Sequence, residues 1–227
     1  MSRETIVVKT VRLNKIIDGF QKAYPDAHCE LDYANPLQLL IAVILSAQCT
    51  DKRVNMITPA LFKRYHTAKD FKDAPRPELE QFIKSAGFFH SKAKNIQNCC
   101  RKLVELHGGE VPRTMEELIK LDGVGRKTAN VVLGNAFDVV VGVIVDTHAI
   151  RLSHRLGLVT ERTPEKIELA LMKLLPEKYW LLFSHWLVWH GRRRCIARKP
   201  DCENCAVKKF CPQIEVTINN KDTKQQR

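Results

Sequence analysis

The sequence of 227 residues has no long apolar run: the longest, Leu39 to Ala47 and Val139 to Val145, fall well short of the ~18 residues that cross a bilayer as a helix. A membrane-spanning helix is therefore excluded. The run Met1 to Lys15 has neither the apolar core of a secretory signal nor the acid-free composition of a transit peptide. An intracellular location is expected, cytoplasmic or nucleoid-associated in a prokaryote. No segment repeats at a period of about 20–50 residues, which excludes a solenoid. Glycine and proline number only 10 each, and 44% hydrophobic with 27% charged residues is the composition of a folded chain, not of a collagenous or disordered one. Acidic residues are in deficit, 25 against 37 Lys and Arg, for a formal charge of +12. Such an excess concentrates polyanions around a protein, so nucleic acid is the expected class of partner, with a merely solubilising surface as the alternative. The positive charge is grouped. Lys84, Lys92, Lys94, Arg101 and Lys102 lie in one acid-free segment, and Arg192, Arg193, Arg194, Arg198 and Lys199 in another, which predicts basic faces.

Strand signals are scarce and helix signals dominate. Asn35 and Pro36 form a cap and first-position pair ahead of Leu37, Leu40, Ile41, Ile44 and Leu45, which recur at helical spacing. Thr114 and Glu117 read as a capping box opening a helix over Met115 to Leu121. Thr163 and Pro164 open another, with Ile167, Ala170, Leu171 and Leu174 on one face. The β-branched run Val139 to Val145 scores as a strand by propensity, but a single strand has nothing to pair with. It is read as a buried connector in an all-α chain. Residues 214–227, with paired Asn and Gln and little apolar content, are predicted to be disordered.

Eight cysteines fall into two groups. Cys29, Cys49, Cys99 and Cys100 are scattered through helical segments, where a thiol is usually a small buried hydrophobe. The other four, Cys195, Cys202, Cys205 and Cys211, are close enough together to hold tetrahedral zinc or a 4Fe-4S cluster, and without an export signal disulfides are not expected. Structural zinc usually draws on two Cys-x2-Cys knuckles. One knuckle flanked by two longer loops favours the bulkier cluster, with zinc as the alternative. A fully ligated cluster can serve as a staple for the basic loop Ile196 to Pro200.

The segment Leu121-Asp122-Gly123-Val124-Gly125-Arg126-Lys127-Thr128 lies between two helical patterns. Two glycines one residue apart permit a tight turn and close approach of a partner, and the following helix directs N–H groups and a positive dipole end outward, where phosphate fits. Lys127 falls just inside that helix. Burial and a helix N-terminus both disfavour an ammonium, so this placement points to a reactive neutral amine; a surface lysine touching phosphate is the plainer reading. Asp146, in Val145-Asp146-Thr147-His148, follows seven consecutive apolar residues, and reads as a helix N-cap, a catalytic carboxylate, or both.

The run LDGVGRKTANVV, then VDTH, then the four-cysteine loop, together with SAQCTD at Ser46 to Asp51 and GFFHSKAKNI at Gly87 to Ile96, resembles the endonuclease III family of DNA glycosylases. The resemblance extends from about Leu13 to Cys211. It implies an all-α fold of two helical domains with a helix-hairpin-helix motif and a C-terminal 4Fe-4S cluster loop. The domains are expected to be residues 29–139, carrying the hairpin, and 1–28 plus 140–213, carrying the cluster, with Lys127 and Asp146 in the cleft between them. It further implies Lys127 as nucleophile and Asp146 as its partner, and Gln48 and Phe88 as residues that enter the duplex. Gly123, Val124, Gly125 and Arg126 would grip its backbone, along with Arg198 and Lys199 of the cluster loop. The implied activity is that of a monomeric glycosylase and abasic-site lyase acting on oxidised or ring-saturated pyrimidines in double-stranded DNA. A mismatch thymine or uracil glycosylase and a non-catalytic DNA-binding protein are the alternatives. Two residues depart from the family pattern: Phe88 stands where leucine is common, and Asp122 where proline is usual, placing a negative charge near the expected phosphate.

Overall fold

The computed structural model describes residues 4–216. Among these, the regular elements are helical and no strand occurs. In chain order they are α1 (Ile6–Ala23), α2 (Pro36–Ser46), α3 (Asp51–Arg64), α4 (Ala68–Asp73), α5 (Arg76–Ile83), α6 (Phe89–His107), α7 (Met115–Leu118), α8 (Arg126–Ala136), α9 (Thr147–Arg155), α10 (Pro164–Leu174) and α11 (Trp180–Arg193). No helix among the described residues is long and apolar enough to cross a membrane. The chain divides into two compact units, one of residues 29–141 and one of residues 4–28 with 142–216.

The first unit is built around α2. Asn35 accepts a hydrogen bond from the Gln38 N–H at 2.9 Å, and Pro36 supplies the fixed φ of the first turn. Beyond that cap the sequence is apolar on every side, so the helix is buried on every side: Leu39, Leu40, Ile41, Ala42 and Leu45 have no exposure at all. Helices α3, α6 and α8 pack on it. The predicted helix at Thr114 is shorter than its box suggests. It ends at Leu118, because Lys120 and Leu121 turn their N–H groups to Glu117 and Leu118 in tighter i to i−3 bonds. The Glu117 carboxylate also bonds the Thr114 hydroxyl itself, at 2.7 Å.

The second unit packs α1 against α10 and α11, and α9 against the same two helices. Phe20 has no exposure and lies within ring contact of Tyr24, Phe183, Trp186 and His190. Into this core runs the β-branched segment. Val143, Ile144 and Val145 are buried without forming a strand, and the Ile144 N–H is satisfied by the Ser184 hydroxyl at 2.9 Å. Val139 at the start of the run is exposed and Val140 and Val141 are half-buried, so only the second half of the expected buried connector is buried. The connector thus delivers Asp146 directly to the start of α9. At α10 the sequence signal is half used: Pro164 opens the helix, while Thr163 makes no capping bond. Of the tail read as disordered, residues 214–216 form a turn whose Ile214 N–H bonds the Arg155 carbonyl at 3.2 Å. The remainder, 217–227, lies outside the described residues.

Candidate functional site

The turn between α7 and α8 is shaped by its glycines in two different ways. Gly123 has φ of +76°, and a Cβ there would come within 3.0 Å of Asn95 on α6, so both the backbone and the neighbour exclude a side chain. Gly125 is extended, at φ −91° and ψ 176°, and open around its Cα. It starts α8 without any capping side chain, which leaves the helix mouth to other acceptors. Val124 does not face outward: it is 5% exposed, and its N–H bonds the Leu121 carbonyl. It anchors the turn, while Gly123, Gly125 and Arg126 are exposed.

The charge on Asp122 is not loose. Its carboxylate is paired with Lys102 at 2.8 Å, and Lys102 also bonds the Lys120 carbonyl. The Lys102 hydrogen bond holds the Asp122 carboxyl below its ordinary range. A lysine from the basic segment on α6 therefore answers the acid that stands in the proline position. The same segment loses a second member, because Lys92 is buried. Only Lys84, Lys94 and Arg101 of that group are fully at the surface, and the expected single basic face is correspondingly thinner.

Lys127 occupies the second position of α8 and is exposed. The helix N-terminus expected around it is present. The burial is not: among the described residues the Lys127 side chain is exposed. Asp146 is the N-cap of α9, and its Oδ1 accepts the Ala149 N–H at 2.8 Å. One oxygen is spent on the helix, and the half-buried carboxylate keeps Oδ2 for other work. The capping and catalytic readings are thus compatible. Lys127 belongs to the first unit and Asp146 to the second.

Gln48 and Phe88 share an unusual backbone. Both lie in the left-handed region, at φ +53° and +49°, which costs a non-glycine residue ~1–2 kcal/mol each. Both are exposed, Phe88 to 67%, so Phe88 is not a core residue. Each sits at a loop tip, Gln48 between α2 and α3 and Phe88 immediately before α6.

The four clustered cysteines line one cavity with Arg155, His190, Leu152 and Val207. Among the described residues no three thiol, imidazole or carboxylate groups converge closely enough to hold a single ion. Four thiols spread around a shared space suit a multinuclear body better than one zinc. Burial raises Cys202 and Cys205 above the usual thiol range and pushes Cys211 up to about 11, so ligation here has to drive off protons. Arg155, which the sequence reading missed, is 7% exposed and organises the loop. Its guanidinium bonds the Ile196 and Ala197 carbonyls at 2.9 and 2.7 Å and the Cys195 Sγ at 3.3 Å. His190, which burial pushes down to about 4, takes Tyr24 on Nδ1 and faces the Cys205 Sγ with Nε2 at 3.5 Å. Arg198 and Lys199 are exposed on the loop so held.

Residues 41–177 match the HhH-GPD superfamily of base excision DNA repair proteins. The endonuclease III of Synechocystis sp. is 53% identical over 209 residues, 92% of this chain and 95% of its own. The chain belongs to the endonuclease III family. Among solved structures, an endonuclease III in a non-covalent DNA complex superposes with a TM-score of 0.86 at 45% identity, over 90% of this chain and 95% of that one. An endonuclease III trapped as a covalent DNA intermediate gives the same TM-score and identity, over 90% and 96%. The endonuclease III fold, all-helical with a helix-hairpin-helix, is therefore that of this chain.

The two hairpin glycines should respond differently to substitution. Gly123→Ala is expected to lower stability by ~1–2 kcal/mol through its left-handed backbone alone, whereas Gly125→Ala should stay within ~0.5 kcal/mol. Guanidinium unfolding midpoints of the two variants check this; equal midpoints would contradict it.

Proposed function

We propose that this protein is a bifunctional DNA N-glycosylase and abasic-site lyase of base excision repair, acting on oxidised or ring-saturated pyrimidines in duplex DNA. The observation that carries the reading is Lys127, an exposed amine at the uncapped mouth of α8 beside a Gly-Val-Gly turn. Phosphates bound at that mouth would bring a deoxyribose to the amine and cover it, shielding it from water. The existence of a trapped covalent DNA intermediate for a relative at 45% identity supports chemistry of this kind.

In the proposed course, Lys127 Nζ attacks C1′ of an extruded nucleotide as the bond from C1′ to the base breaks, and the base leaves with the electron pair. Nζ gives up a proton, for which the Asp146 carboxylate is the acceptor. The nitrogen lone pair then forms the C1′=N bond as the C1′–O4′ bond opens, O4′ taking the bond's electrons and the proton held by Asp146, which leaves a Schiff base between Lys127 and C1′. Loss of a C2′ proton expels the 3′ phosphate, and water releases the lysine. Asp146 also favours the positive charge that develops on the sugar. Gln48 and Phe88 are assigned to the space vacated in the duplex: an exposed aromatic ring on a loop tip can wedge between bases. Gly123, Gly125 and Arg126 are assigned to the DNA backbone, with Val124 holding the turn from inside. A non-catalytic scaffold would use Lys127 only to touch phosphate, and covalent trapping separates the two readings.

The cofactor assigned to Cys195, Cys202, Cys205 and Cys211 is a 4Fe-4S cluster. It would act as a staple for the loop presenting Arg198 and Lys199, and no reaction step passes through it.

Incubation with a thymine-glycol or abasic duplex and borohydride should trap a covalent complex. Lys127→Ala should abolish it while retaining DNA binding, and Asp146→Asn should slow its formation by ~10²–10⁴-fold. Undiminished trapping in the Lys127 variant would remove that residue from its role. The purified protein should be brown, with about four irons and matching sulfide per chain; a colourless, zinc-replete and fully active protein would refute the cluster. DNA affinity should fall with salt at about one log–log unit per phosphate contact, and neutralising Arg198 and Lys199 together should lower that slope by about two.

A further inference from the structure

Lys92 is a member of the basic segment that the proposed function leaves without a task. It stands in the first turns of α6, is 5% exposed, and is surrounded closely enough that burial holds its ammonium below the ordinary lysine range. Its Nζ donates to two backbone carbonyls, Leu45 at 2.8 Å and Ala86 at 2.9 Å. Neither acceptor is arbitrary. Leu45 lies in the last turn of α2, and the Cys49 N–H, which would continue the helical ladder to it, bonds the Ser46 carbonyl instead. A cation at a helix C-terminus is favourably placed for such a carbonyl. Ala86 closes the 3-10 turn that precedes Gly87, at φ +71°, and Phe88.

From Leu45 the chain runs directly to Gln48, and from Ala86 directly to Phe88. One nitrogen in contact with both carbonyls therefore sets the spacing between the roots of the two loops whose tips are strained and exposed. A flexible root would let each tip relax out of its left-handed backbone, and would let the two side chains move independently. We infer that Lys92 is a positioning residue for entry into the duplex: it ties the Gln48 and Phe88 loops together so that the two side chains penetrate DNA as a matched pair. The inference rests on the assignment of Gln48 and Phe88 to the duplex interior, and extends it to a residue that never meets DNA.

Extrusion of a base is needed on duplex DNA but not on an abasic single strand, so a residue that acts through these loops affects the first substrate and not the second. In single-turnover reactions Lys92→Met is expected to slow release of thymine glycol from a duplex by about tenfold or more, and to leave cleavage of an abasic single strand within about twofold of the parent. Lys92→Arg, which keeps donors for both carbonyls, should recover most of the duplex rate. On a Phe88→Ala background Lys92→Met should add less than about twofold, because both changes disable one unit. Equal slowing on both substrates, or full additivity with Phe88→Ala, overturns the inference. If Lys92→Met does not yield folded protein, Lys92→Gln is compared on the two substrates in its place under the same criteria. Gln48→Ala and Phe88→Ala alone separate the two layers. If both retain the parental duplex rate, the assignment of those residues is wrong; if both are slow and the Lys92 variants are not, only the role of Lys92 falls.

Discussion

An α-helix ends with N–H groups at one terminus and C=O groups at the other that no residue of the helix can satisfy. In a chain made of helices and short connections, the way each terminus is closed decides what the surface can do. Asn35, Thr50, Thr67 and Thr114 close their helices with side chains of their own, and none of them takes part in the proposed chemistry. Those tied to the proposed function differ from these four, although α5, α10 and α11 share with α8 the lack of a side-chain cap. The mouth of α8 has no capping side chain, α6 begins from a left-handed, exposed phenylalanine, and the end of α2 is closed by an ammonium from another helix. At α9 the cap itself is the carboxylate assigned to the chemistry.

The positive charge of the sequence is put to two uses. Lys9, Arg12, Lys92, Lys102 and Arg155 all donate to backbone carbonyls of segments remote in sequence, so part of the +12 excess holds the fold together. These long side chains reach acceptors that helix packing leaves exposed to the interior, where an unmet carbonyl is costly. Of the two grouped basic segments, Lys84, Lys94 and Arg101 face solvent on one unit and Arg192, Arg193, Arg194, Arg198 and Lys199 on the other. Net charge alone overstates the surface available to a polyanion.

Features set by neighbours in sequence were legible there. The cap and proline at Asn35 and Pro36, the apolar period of α2, the buried second half of the connector before Asp146 and the position of Lys127 at a helix start all follow from local rules. Cysteine spacing likewise pointed to one shared cavity. What escaped was set by partners far along the chain. Nothing near Lys92 distinguishes it from Lys94, since its acceptor Leu45 lies 47 residues away. Arg155 reads as an ordinary basic residue in the last turn of a helix, yet it binds a loop 41 residues on. The burial expected for Lys127 failed for a related reason: a pattern of neighbours reports which face of a helix is apolar, and the first turn of α8 projects beyond the core its later turns join.

The grip of Arg155 on the carbonyls of Cys195, Ile196 and Ala197 bears on how the proposed cluster would be assembled. A free loop that gathers four thiolates around an inorganic core loses conformational freedom along its whole length. Here the entrance to the loop is already immobilised by the polypeptide, and the Cys195 Sγ is docked against the Arg155 guanidinium at 3.3 Å. A cluster of the kind proposed would then have to organise mainly the stretch from Arg198 onward, so the Arg155 contacts lessen the ordering that its assembly demands.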